Sequence, residues 1–368
     1  MVPRRQPPRL WLVALALLLP VAAAGWYGLG EYRPPIPTGL DLYLPVAEDN
    51  PLTQEKVALG ERLFFDPALS RDGSVACASC HIPERAFSDS LPVAVGIDGR
   101  RGERNAPPII NLAWAGALFR DGSAASLEEQ ALHPIHSPAE MDLSLRELEE
   151  RLSADPSYRR VFESAFGHEP AGEAAGAEQR PDEGSTTPSR NLSGGAGDVD
   201  GVVSARNVAR AIASYVRTIL AGDAPFDRYL AGDREALTEE ELRGFRLFTG
   251  KANCSLCHLG PTFSDDAFHN TGVAARSGDP GRYGVTGREE ERGRFRTPTL
   301  REIEHTAPYM HDGSLASLEE VVEFYDAGGS LHPNLSPKIR PLRLSEHEKA
   351  ALVGYLRTLS GQVQAGVR

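Results

Sequence analysis

Cys77-Ala78-Ser79-Cys80-His81 and Cys254-Ser255-Leu256-Cys257-His258 hold all four cysteines of this 368-residue chain. Cys-x-x-Cys-His is the pattern that attaches c-type haem: the two thiols add across the porphyrin vinyl groups, and the adjoining histidine can bind iron from one face. The spacing argues against other uses of paired cysteines. A zinc ribbon brings its two pairs within about 15–20 residues. Here most of the protein separates them, and zinc would require neither histidine. A thioredoxin-like dithiol needs βαβ surroundings that the pattern lacks, and no cysteine remains for a disulfide framework. The sequence therefore predicts a mainly α-helical protein with two cytochrome c-like helical domains, each with one covalently bound c-type haem.

Hydrophobic content of 41% and charged content of 24% are ordinary for a soluble globular protein. A net charge of −12 argues against nucleic acid as a partner and suits a surface that meets a basic or neutral redox protein. The N-terminus differs. Arg4, Arg5 and Arg9 precede an uncharged stretch from Leu10 to Gly30, which reads as an export signal with Ala22-Ala23-Ala24 as a cleavage site. The same stretch is long enough to span a bilayer, with Trp26-Tyr27 at the far interface. Residues 1–30 are thus expected to be a signal peptide or an N-terminal membrane anchor, and the body is expected to face the periplasm.

The chain repeats itself around each motif. Leu52-Thr53-Gln54-Glu55-Lys56 running to Leu63-Phe64 corresponds to Leu237-Thr238-Glu239-Glu240-Glu241 running to Leu247-Phe248, and both read as Thr-capped amphipathic helices. Downstream, Asp121-Gly122-Ser123 through Glu128-Glu129 matches Asp312-Gly313-Ser314 through Glu319-Glu320. Each half closes with a helix, Ala211 to Ile219 and Ala351 to Leu359. The expected division is 31–222 for a first domain, carrying a flexible insertion at about 169–201, and 223–368 for a second. The insertion is rich in Gly, Ala, Ser, Glu and Pro and lacks apolar periodicity.

One position of the repeat stands out. Thirteen residues beyond Asp121 stands Pro134, and thirteen beyond Asp312 stands Tyr325. A phenolate can ligate ferric iron and favours its oxidised states. Proline offers no side-chain donor, so the iron over His81 is expected to keep an open face. Tyr325 also reads as a buried aromatic of its helix.

With these residues in view the sequence resembles the bacterial di-haem cytochrome c peroxidase family, and within it the MauG-like branch, from about Leu52 to Leu359. The likeness rests on both haem motifs and on Arg104-Asn105-Ala106-Pro107, Gln130-Ala131-Leu132-His133-Pro134, Glu140-Met141, Thr297-Pro298-Thr299-Leu300-Arg301 and Pro308-Tyr309-Met310-His311-Asp312-Gly313. The resemblance implies proximal ligands at His81 and His258. It puts Tyr325 at the second axial position of an electron-storing haem, Glu140 at the distal acid–base carboxylate and Gln130 beside it. It also implies calcium ligands at Asn105, Thr306 and Pro308, an amide oxygen and backbone carbonyls being hard donors of the kind calcium prefers. Chemically, a carboxylate in a mostly apolar pocket can carry the proton that must pass between the two oxygens of peroxide. Without the resemblance, Glu140 reads as a helix-start charge.

The departures carry information too. Where conventional members place a histidine over the first haem, this chain has Ile97. The tryptophan that bridges the haems falls at Arg120, and the surface relay tryptophan before the second motif falls at Ala252; Trp114 is the one tryptophan beyond the N-terminal segment. His133 stands where the family has glycine and could close the first iron, though a pocket-lining or surface role is the expectation. The implied activity is reduction of hydrogen peroxide to water with electrons from a small cytochrome c or cupredoxin. Two alternatives stand beside it: MauG-like oxidation of partner-protein side chains through high-valent haems, and non-enzymatic electron transfer.

Overall fold

The computed structural model describes residues 30–167, 201–274 and 278–367. The expected export or anchor segment, except Gly30, and the 169–201 insertion, except Gly201, lie outside them. Among the described residues no helix is long and apolar enough to cross a membrane.

The fold is mainly helical. The principal helices are α1 (Gln54–Phe64), α2 (Leu127–His136), α3 (Leu145–Ala154), α4 (Pro156–Phe166), α5 (Ala205–Arg217), α6 (Pro225–Leu230), α7 (Glu239–Thr249), α8 (Leu318–Asp326) and α9 (Glu346–Arg357). Their starts are written in the sequence. Thr53 and Thr238 accept from the backbone N–H of Lys56 and Glu241, and Ser126 and Ser317 accept from Glu129 and Glu320. Each such cap is worth about 1 kcal/mol. The closing helices stop two residues short of the expected Ile219 and Leu359, because at Thr218 and Thr358 the last turn tightens to backbone bonds onto Tyr215 and Tyr355, whose carbonyls also accept the threonine hydroxyls at 2.7 Å.

Two apolar cores result. One gathers buried residues between Tyr32 and Ala221, the other between Phe226 and Leu359. Each centres on a crossed helix pair, α1 on α5 and α7 on α9. Gly60 and Gly244 make these crossings possible: a Cβ on Gly60 would overlap the Ala211 carbonyl oxygen, and one on Gly244 the Ala351 carbonyl oxygen. Over the crossing lies a tyrosine in each half, Tyr215 against Phe64 and Tyr355 against Phe248, both at 5.1 Å between ring centroids. The repeat legible in the sequence is therefore a repeat of packing.

The strands escape the sequence pattern because they are two or three residues long. β1 (Leu220–Gly222) pairs antiparallel with β4 (Gln362–Gln364), and β2 (Phe268–His269) with β3 (Phe295–Arg296). The first pairing returns the C-terminal end to the first core, where Val363 and Ala365 pack.

Candidate functional site

Each half surrounds a cavity with its Cys-x-x-Cys-His motif in the wall. The first, of about 530 Å³, is lined by Cys80 and His81, with Gln130, Pro134 and Glu140 among the other residues of its wall. The second, of about 230 Å³, is lined by Cys254, Cys257, His258 and Tyr325. Because the two cysteine pairs serve separate cavities, no single metal site gathers them. The one His/Cys/carboxylate cluster of metal-binding geometry among the described residues, Cys257 with Asp265 and His269, draws its sulfur from the second motif.

The two histidines are oriented alike. His81 donates its Nδ1 hydrogen to the Phe87 carbonyl at 3.1 Å, and His258 donates to Phe263 at 3.0 Å. A carbonyl can only accept, so Nδ1 carries the proton and Nε2 keeps its lone pair, the arrangement metal-ligating histidines use. Phe87 and Phe263 hold these carbonyls in left-handed backbone, φ 57° and 53°. Such a conformation costs a non-glycine residue on the order of 1 kcal/mol or more and persists where surrounding structure enforces it. Burial pulls both imidazole pKa values down, which favours the neutral ligand form. Burial likewise pushes the Cys77 thiol up to about 12 and Cys80 to about 11. A paired-thiol turn, a lone-pair nitrogen and a largely apolar cavity fit covalently attached haem in both halves.

Opposite the histidines the halves part company. Helices α2 and α8 correspond down to their loops: Ser123 and Ser314 donate backbone N–H groups to Asp121 and Asp312 at 3.1 Å, and Ala125 and Ala316 donate to Glu129 and Glu320. At the shared position α2 presents Pro134 and α8 presents Tyr325. The phenol lies in the second cavity beside the Cys254 and Cys257 thiols, hydrogen-bonded to Thr271, and burial pushes its pKa well above the ordinary value.

Glu140 follows α2 in a tight turn. Its backbone N–H bonds to Ser137, and its carbonyl accepts from Ile97 at 2.8 Å. Gly96 lets this contact form, since a Cβ there would overlap the Ala139 carbonyl and meet Glu140 Cα at 2.6 Å. Burial raises the Glu140 carboxyl pKa, against the opposing pull of a Ser137 hydrogen bond and of His136. Gln130 sits one helical turn before Pro134, on the same wall. Ile97 is fully buried in the protein interior and brings no donor to the cavity. His133 is not itself in the cavity wall: it packs edge-on at 5.3 Å against Phe119, which is, and tilts against His136 at 5.5 Å. Trp114 lines the first cavity and donates to the Tyr43 carbonyl. Ala252, Met310 and His311 line the second.

Between the cavities lies a cluster in which Arg296, Asp266 and Asp279 join residues that the sequence had singled out for other reasons. Asn105, Arg120 and Arg296 line both. Arg104 bridges Asp121 at 2.6 Å and Asp279 at 2.7 Å, and Arg296 holds Asp266 at 2.9 Å. The only signal for this cluster was Arg120, standing where the family has tryptophan.

The same cluster decides against the implied calcium ion. Asn105, Thr306 and Pro308 do come together in the wall of the second cavity. However, Asn105 Oδ1 accepts from Arg120 Nη2 at 2.7 Å. A calcium ion sits about 2.4 Å from a ligating oxygen, so it would lie within roughly 5 Å of the guanidinium, a repulsion on the order of 7 kcal/mol at an effective dielectric of about 20. The three residues as they stand do not fit a divalent cation.

Comparison with known proteins agrees with this architecture. Residues 54–235 match the family described as di-haem cytochrome c peroxidase. The methylamine utilization protein MauG of Methylorubrum extorquens is 42% identical over 323 residues, 88% of this chain and 83% of its own. The cytochrome-c peroxidase IdrP1 of Pseudomonas sp. (strain SCT) is 36% identical, covering 86% of this chain and 84% of its own. A crystal structure of a MauG-like protein associated with microbial copper homeostasis superposes with a TM-score of 0.72 at 33% identity, covering 91% of this chain and 95% of that one.

Proposed function

The chain belongs to the di-haem cytochrome c peroxidase family, and we propose that it is a periplasmic, two-domain member whose first half, 31–222, turns over hydrogen peroxide while its second, 223–368, stores and passes electrons. Members of this family are haem oxidoreductases, so the reading as a purely electron-carrying cytochrome gives way to an enzyme. The observation that carries the proposal is the asymmetry between the two cavities: Pro134 with Glu140 and Gln130 in one, Tyr325 in the other.

Two haems would be held through Cys77 and Cys80, and through Cys254 and Cys257, with His81 and His258 as their proximal nitrogens. Bound haem iron supplies the electrons and Lewis acidity that cleave the O–O bond. The chain supplies the rest. Pro134 and Ile97 bring no donor, which leaves the distal side of the first site to substrate. Glu140, as carboxylate, accepts the proton from one peroxide oxygen and returns it to the other. Gln130, on the same wall, orients the substrate by hydrogen bonding. Tyr325 closes the second site. No step is assigned to calcium, because Asn105 Oδ1 is already held by Arg120.

The MauG-like reading, oxidation of side chains on a partner protein, draws specific support from Tyr325 and Ile97, the MauG-branch residues at both distal positions. The Ala252 and Arg120 replacements remove two tryptophan relays and favour a small cytochrome or cupredoxin as electron donor. Mixing the di-haem protein with hydrogen peroxide and a reduced small redox protein separates the two. Catalytic oxidation of the donor, two electrons per peroxide, supports the peroxidase reading. Peroxide consumption with no donor oxidation and new cross-links or oxygen on a co-purified protein supports the other.

A further inference from the structure

Arg120 is enclosed between the two cavities. Its Nη2 donates to Asn105 Oδ1 at 2.7 Å, while its Nε is buried with no hydrogen-bond partner among the described residues. The arginines around it are differently served. Arg104 has Asp121 and Asp279, and Arg296 has Asp266. Arg120 has an amide oxygen and, among the described residues, no carboxylate at ion-pair distance. An arginine keeps its guanidinium charge in such surroundings.

Asn105 cannot turn away from it. The Asn105 Nδ2 donates to Leu91 O at 2.8 Å, and its backbone N–H donates to His311 O at 2.8 Å. The amide is thus pinned with its oxygen toward the guanidinium. Position 120 also has a repeat partner, His311, whose ring stacks on Phe295 at 3.8 Å and whose carbonyl takes the Asn105 N–H across the halves.

We propose that the Arg120 guanidinium is a built-in cation, taking the place between the two sites that the family resemblance gives to calcium. A charge carried on a side chain needs no metal and cannot be removed by a chelator. The Nε left over suits a carboxylate. The anionic groups that these cavities would take are the propionates of haem, and Arg120 stands in the wall of both. Identifying that carboxylate rests on the two-haem reading; the exclusion of calcium does not.

The test uses the purified di-haem protein, first exposed to calcium chloride and then freed of loose ions by gel filtration. Calcium per chain is measured by inductively coupled plasma mass spectrometry, and the unfolding midpoint is measured with calcium and with EGTA. The expected result is no stoichiometric calcium and no shift of the midpoint between the two. Stoichiometric calcium, or a midpoint that falls with EGTA, overturns the proposal. Arg120→Leu should gain calcium binding and lower both haem midpoint potentials, whereas Arg120→Lys should remain indifferent to calcium. If the leucine variant does not fold, the wild-type measurement still decides. Loss of peroxidase activity alone would leave the calcium result standing.

Discussion

The two halves of this molecule share a helix crossing, a haem-binding turn, a histidine held by a phenylalanine carbonyl and a capped helix over the cavity. Past Glu129 and Glu320 that helix diverges, and among the differences the pair Pro134 and Tyr325 faces the cavities. Where the first half has Pro134, the second has Tyr325, and the cavity of the first is more than twice as large as that of the second. A duplicated scaffold can thus keep its proximal side constant, because covalent attachment and histidine orientation serve any haem, and assign a task by editing the distal wall.

The largest expected effect comes from the first half. Glu140→Gln should lower peroxide turnover by about 10²–10⁴-fold while both haems stay attached, the range for losing a positioned acid–base group. Unchanged turnover would remove Glu140 from the chemistry. Tyr325→Phe should leave the first haem's spectrum intact, shift the second toward high spin and raise its reduction potential, since an anionic donor to ferric iron is lost. Spectroelectrochemistry reads both changes, and a shift confined to the first haem would reverse the assignment. The shared scaffold predicts matched damage: Gly60→Ala and Gly244→Ala should each cost about 1–3 kcal/mol, measured by chemical unfolding, because each drives a methyl into a facing carbonyl. Strongly unequal costs would mean that the crossings are not equivalent.

A smaller effect is that of pH. Burial raises the Glu140 pKa above 4.5, so the carboxylate, and with it turnover, should grow as pH rises through that higher midpoint. Glu140→Gln should erase this limb. The sign for stability is opposite. A carboxyl whose pKa is raised by folding stabilises the fold below its ordinary pKa, and that contribution is lost as pH rises through the folded value. At neutral pH the glutamine variant should therefore unfold no more easily than wild type. Smallest of all, His133→Ala should leave both haem spectra unchanged, since the ring packs against His136 and behind Phe119 rather than in the cavity wall; a spectral change at the first haem would restore His133 as a ligand.

Much of this was legible from residues alone. The motifs located both cavities, the threonine and serine caps located the helix starts, and the Asp121 and Asp312 register isolated position 134 against 325. What stayed hidden depended on contacts distant in sequence. The β1–β4 pairing joins three-residue segments with no alternation to detect. Phe87 and Phe263 act through backbone carbonyls, which leave no side-chain signature. The Arg104, Arg120 and Arg296 cluster is assembled from both halves, so no local window contains it. The calcium reading meets the same obstacle: Asn105, Thr306 and Pro308 line one cavity, but that the Arg120 guanidinium, fifteen residues along, turns onto Asn105 Oδ1 is seen only in three dimensions.

The most direct test of the asymmetry is electron paramagnetic resonance of the ferric protein before and after cyanide. One high-spin haem that cyanide converts, beside one low-spin haem that it leaves untouched and that Tyr325→Phe alters, is the predicted result. Two low-spin haems, or two haems that both take cyanide, would contradict it.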